Sequence, residues 1–99
     1  MSKRIPSSAA IDNWLKIRFP GIRKVNDSGC PYIKGIPDYH AKGIASGWIE
    51  VKRGNEEITD DQEFWLIRLD GFVYRFWSDH VQVQKYVCGE LRDFVRIEL

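Results

Sequence analysis

The sequence predicts an α/β domain: a mixed four-stranded sheet flanked by helices, in the order α-β-β-β-α-β-α, with a last helical segment behind it. Three observations carry that expectation. Apolar residues near the N-terminus recur at helical spacing. Residues 46–53 alternate between two faces, as a strand does. A capping-box helix then separates this strand from a second apolar one, the strand–helix–strand order that parallel pairing requires.

Taken in order, Ser7 and Ser8 offer a helix cap before Ile11, Trp14, Leu15 and Phe19, whose spacing lines one helical face. Pro20-Gly21 ends that helix. Residues 22–25 read as a short strand, followed by the turn-rich stretch 26–31. Tyr39 opens a second short extended segment that stops at Lys42-Gly43. In residues 46–53, Trp48, Glu50 and Lys52 fall on one face and Ile49 and Val51 on the other. Gly54-Asn55 breaks the strand.

Thr59-x-x-Gln62 is a capping box, and Asp60, Asp61 and Glu63 suit the positive end of a helix macrodipole. The acidic run 56–63 is therefore read as capping rather than as a second metal site. This helix extends to Asp70-Gly71, with Gly71 as its left-handed cap. Residues 72–77 form a strand, and Ser78-Asp79 cap a helix through about Cys88. Leu91, Phe94, Val95 and Leu99 stand at helical spacing beyond it. The unit 48–77 fits a right-handed parallel crossover, and the first three strands an antiparallel meander.

A chain of 99 residues has room for one core, so residues 1–99 are read as a single domain. A hydrophobic share of 43% with 13% aromatics excludes disorder as the main state. No apolar run approaches the ~18 residues of a membrane span, and the start lacks a signal-peptide core. Cys30 and Cys88 show neither a disulfide framework nor metal-ligand spacing, so a reduced, intracellular protein is expected. The net charge of +1 hides a split: residues 1–53 carry +6 and residues 54–99 carry −5. One half of the chain suits a polyanion.

Glu50 and Lys52 lie two apart on one strand face, where unpaired charge is costly. They read either as an ion pair at a sheet edge, shielded by Trp48, or as a site. Gly35-Ile36-Pro37-Asp38 shifts the balance. Asp38 and Glu50, facing alike from antiparallel neighbours, can share a hard divalent cation. Two carboxylates suit Mg²⁺, with phosphate oxygens completing its shell, while Lys52 orients a water or stabilises developing negative charge.

Gly35-Ile36-Pro37-Asp38, eleven residues, Glu50-Val51-Lys52, and then Thr59-x-x-Gln62 opening a helix resemble the VRR-Nuc family of the PD-(D/E)xK nuclease superfamily. The likeness covers about residues 8–88 and includes the helix–Gly71–strand step; residues 89–99 are read as a helical extension. It implies a restriction-endonuclease-like core and a metal-dependent nuclease. The implied metal ligands are Asp38, Glu50 and the Val51 carbonyl, with Lys52 catalytic and Gln62 near the site. One departure stands out: the family's first helix usually carries a glutamate where this chain has Ser8, and the nearest acid is Asp12.

Gln62 is both a capping residue and, by the resemblance, a site residue. His40 shares Asp38's face and is either near the site or a half-exposed strand residue; His80 is expected on a helix surface. Among Arg23, Lys24, Asn26, Lys34, Lys42 and Arg53, backbone phosphate contacts are expected of Lys24, Asn26, Lys34 and Arg53. Trp65, Phe72, Tyr74, Phe76 and Trp77 read as core or interface.

The expected function is a Mg²⁺-dependent (Mn²⁺ substituting) endodeoxyribonuclease acting on four-way or other branched DNA. It is expected to work as a homodimer through the C-terminal helix and strand 72–77. A stand-alone member of this size resembles the viral type, acting in a host cell's cytoplasm. The alternatives are a non-catalytic nucleic-acid-binding domain on this fold, or a nickase of flaps or linear duplex.

Overall fold

The computed structural model describes residues 4–25, 34–44 and 46–99. Residues 26–31, with the candidate phosphate contact Asn26 and Cys30, lie outside the described residues. The elements are α1 (Ser8–Arg18), β1 (Arg23–Lys24), β2 (Tyr39–His40), β3 (Trp48–Arg53), α2 (Asp60–Leu69), β4 (Phe72–Phe76), β5 (His80–Val87) and β6 (Glu90–Glu98). The class is mixed α/β, with one six-stranded sheet in the order β1-β2-β3-β4-β5-β6. Pairing is antiparallel throughout except between β3 and β4, which run parallel across α2.

Both helices begin where their caps require. Ser7 Oγ accepts from the Ala10 N–H, and α1 buries Ile11 and Leu15, with Trp14 and Phe19 packed beside them. Thr59 and Gln62 form both halves of the capping box on α2. The end of α2 departs from expectation. Asp70, at φ 50°, takes the left-handed position, and Gly71 serves close packing instead: a Cβ there would lie 2.6 Å from Leu66 Cδ2.

The two helices expected after residue 78 are strands, which makes the sheet six-stranded rather than four-stranded. Val81 and Val83 alternate with Gln82 and Gln84, a two-residue period rich in β-branched side chains. Cys88 (φ 51°) and Gly89 (φ 81°) then form a two-residue turn with both residues left-handed, the geometry that joins antiparallel strands. The apparent helical spacing of Leu91, Phe94 and Val95 comes from a bulge. Val83 pairs with Val95 and Gln84 with Asp93, leaving Phe94 as the extra residue that shifts the phase of β6. His80 accordingly sits on β5, bonded to Asp79 and stacked on Trp77.

The sheet carries a core on each face. Ile11 and Leu15 pack on Tyr39, Ile49, Phe72, Tyr74, Phe76, Val81 and Val83. On the opposite face Leu66 packs on Val73 and Tyr86. β4 is thus interior and paired along both edges, so strand 72–77 is not a free interface. The outer strand is β6, with Phe94 and Val95 exposed.

Candidate metal centre at the β2–β3 fork

β2 pairs with β3 only through Tyr39–Ile49 and His40–Trp48. Beyond Ile49 the two strands part, and Asp38 closes the fork with its side chain: Oδ2 accepts from the Val51 N–H at 3.0 Å. A strand residue turns its N–H and C=O to the same edge, so the Val51 carbonyl faces the Asp38 side as well. Gly35 draws this segment against the start of α2. Its φ is +81°, and a Cβ would fall 2.3 Å from the Asp61 carbonyl carbon and 2.6 Å from the Gln62 nitrogen. Only glycine meets both demands.

Glu50 and Lys52 point to the α2 face and are 2% and 6% exposed. Their link is Gln62. Its Oε1 accepts from Lys52 Nζ at 2.7 Å and from the Thr59 N–H at 3.0 Å, while its Nε2 donates to Glu50 Oε2 at 3.3 Å. Lys52 Nζ lies 3.8 Å from Glu50 Oε2. The Gln62 amide therefore both completes the cap and lies between the two buried charges.

Glu50 remains electrostatically unsatisfied. Its Oε1 is buried without a hydrogen-bond partner among the described residues. Burial, then the Asp38 charge and the contact with that carboxyl, push its pKa up to about 9 against the opposing pull of Lys52. A buried carboxylate oxygen beside a second carboxylate calls for a proton or a cation. Asp38, Glu50 and the Val51 carbonyl offer oxygen donors of the kind a hard divalent ion takes, so the residues fit the implied group.

A groove of about 330 Å³ opens on the other side of the fork, lined by Ser8, Lys24, Asp38, Val51, Arg53 and Glu56 among others. Ser8, the position where the resemblance places an acid, lines this groove together with Asp38. Asp12 does not replace it. Its carboxylate accepts from Tyr39 Oη at 2.8 Å and pairs with Lys16 at 2.8 Å, and these two contacts, Lys16 first, hold its pKa below the usual range.

Lys24 is exposed on this groove. Lys34 is exposed too, and its carbonyl accepts from Trp65 Nε1. Arg53 lines the groove, but its Nε donates to the Pro6 carbonyl, which draws the guanidinium toward the N-terminal segment. His40 packs edge-on against Trp48, ring centres 4.8 Å apart.

Two residues matter here that the sequence pattern does not single out. Arg75, in register with Lys52, donates from Nη1 to the Gly54 and Glu56 carbonyls at 2.6 Å each, fixing the β3–α2 loop. A charge inside the apolar strand β4 is its only signal. Glu56 belongs to the acidic run yet precedes the capped turn and lines the groove.

No family model, curated protein or solved structure matches this chain. The chemistry of the fork is carried by its own residues.

Proposed function

We propose that this chain is a Mg²⁺-dependent endodeoxyribonuclease of the VRR-Nuc type, with β1–β4, α1 and α2 as its PD-(D/E)xK core. It hydrolyses phosphodiester bonds in four-way junctions or other branched DNA. The observation that carries this reading is buried Glu50, with one oxygen unpartnered among the described residues, against half-buried Asp38 and beside Lys52 and Gln62.

Asp38, Glu50 and the Val51 carbonyl are the groups that hold the cation, Mn²⁺ replacing Mg²⁺. A bound cation supplies Lewis acidity toward a phosphate oxygen and lowers the pKa of water. Lys52 brings a positive charge to the same strand face, where negative charge grows during phosphoryl transfer, and Gln62 fixes its Nζ. Lys24 and Lys34 at the rim contact backbone phosphates. A two-fold homodimer would present a pair of sites to opposing strands. As a viral-type enzyme it would act inside a host cell. No helix among the described residues is long and apolar enough to cross a membrane.

The second reading, a non-catalytic nucleic-acid-binding domain, is favoured by Ser8 where a third acid is expected. Labelled four-way junction, flap and linear duplex, incubated with Mg²⁺ or Mn²⁺, separate the readings. Metal-dependent cleavage that falls ~100-fold or more in Lys52→Ala supports the nuclease. Binding without cleavage supports the second reading, and preferential nicking of flaps or duplex corrects the substrate. Equal cleavage by wild type and Lys52→Ala identifies a contaminant.

A further inference from the structure

We propose that the outer face of α2 is a base-stacking platform, on which Phe64 and Trp65 take an unpaired nucleobase of branched DNA. The inference rests on the DNA-binding part of the reading above and adds to it a contact outside the cation site.

α2 turns Leu66 to the sheet, fully buried, and leaves Phe64 and Arg68 on its solvent side, four residues apart and so one above the other. Phe64 is 46% exposed, a whole aromatic ring at a position that the core does not use. Its neighbours nevertheless hold it. The Trp65 ring meets it edge-on, centres 5.4 Å apart and planes at 84°, and the Arg68 guanidinium carbon lies 3.6 Å from the ring centre. Trp65 is half-buried and fixed in turn, its Nε1 donating to the Lys34 carbonyl at 3.1 Å. Rings set in place before binding lose little side-chain entropy when a ligand stacks on them.

Two observations select a base as the occupant. The first is continuity with the fork. Lys34, whose carbonyl anchors Trp65, exposes its side chain at the rim, and the next residue, Gly35, packs on the backbone of Asp61 and Gln62 at the start of α2. A strand whose phosphates run past Lys34 brings its bases to Trp65 and Phe64. The second is charge. The patch holds the cation Arg68, and the guanidinium plane is itself a stacking surface for a base. The acids Asp60, Asp61 and Glu63 fill the first turn of the same helix and repel phosphate, so the patch suits the uncharged base and not the backbone. Every base offers a π-face, but only an unpaired one can leave its stack at low cost, which ties the platform to branch points.

Fluorescence anisotropy in metal-free buffer tests this with wild type, Phe64→Leu and Phe64→Tyr. The probes are a flap with a single-stranded arm and a linear duplex, and thermal melting and light scattering accompany each variant. Leucine keeps apolar bulk at an exposed position and removes the ring, whereas tyrosine keeps the ring. Phe64→Leu should bind the flap ~10-fold more weakly and the duplex within about two-fold of wild type. Its salt slope should stay at the wild-type value, because no phosphate contact is lost, and its melting point should not move. Phe64→Tyr should bind both probes as wild type does. Wild-type flap affinity in Phe64→Leu, or equal losses on flap and duplex, overturns the platform and leaves the cation site and the nuclease reading intact. A particle mass that halves in Phe64→Leu assigns the patch to a second copy and also overturns it. Binding of neither probe by wild type at low salt overturns both the platform and the DNA reading.

Discussion

Gln62 joins two jobs that are usually separate, so its substitution and that of its capping partner should differ. Thr59→Ala removes one bond of the cap and is expected to cost about 1 kcal/mol in urea unfolding, with cleavage little changed. Gln62→Ala removes the reciprocal bond and also the amide between Lys52 and Glu50, so stability and cleavage should fall together. Glu50 gives the sharpest pH signature. Its pKa is raised from 4.5 to about 9 in the folded protein, so between those values the folded state binds more protons than the unfolded state. Stability therefore falls as pH rises through this window, while below it Glu50 is protonated in both states. Glu50→Gln should remove that slope. In metal-free buffer its melting point should match wild type near pH 4.5 and exceed it by about 5 °C or more at pH 8. A constant difference across this range would count against a buried, unsatisfied Glu50.

Among the elements, the loop into β2 depends on a single glycine. Gly35→Ala puts a methyl into the backbone of Asp61 and Gln62 at a left-handed φ, and is expected to cost at least about 2 kcal/mol and to displace Asp38. Equilibrium unfolding measures the cost, and loss of metal affinity in the folded fraction measures the displacement. The first helix, the β3 strand, the capping box of α2 and the parallel crossover are legible because each rests on a local pattern: a helical stripe, a two-residue alternation, a cap at fixed offset. The C-terminal third misleads because the bulge at Phe94 imitates helical spacing. Secondary chemical shifts should therefore be strand-like across residues 80–98, with a break at Cys88 and Gly89. Helical shifts there would contradict the six-stranded sheet.

Across the whole molecule, the charge split acquires a position. The +6 half builds α1, β1, β2 and β3, around the fork, whereas half of the ten acids of the −5 half lie on α2 and the loop before it. The sheet order follows the chain, so the basic strands occupy one end of a body measuring 41 × 28 × 25 Å. On the proposed nuclease reading, DNA bound there should be lost steeply with salt. Lys24→Ala and Lys34→Ala should each reduce the slope of log K against log salt by about 1, read by fluorescence anisotropy at several salt concentrations. The outer strand β6, carrying exposed Phe94 and Val95, replaces the expected C-terminal helix as the surface where a second copy would pair. Light scattering at micromolar concentration reads the outcome, and a monomer mass would remove the dimer from the proposal.

The sequence by itself determined the residues of the fork, the two helices and the strand that carries Glu50 and Lys52, because periodicity, capping and pleat act within a few residues. It also determined that charge would stand where packing prefers none. The tertiary structure alone decided that Gln62 bridges Lys52 and Glu50, that Asp12 is spent on Lys16 and Tyr39, that Glu56 lines the groove with Asp38, and that residues 80–98 extend the sheet. Each of these depends on which distant segments meet, and a one-residue bulge or one close glycine contact changes the meeting without leaving a periodic trace.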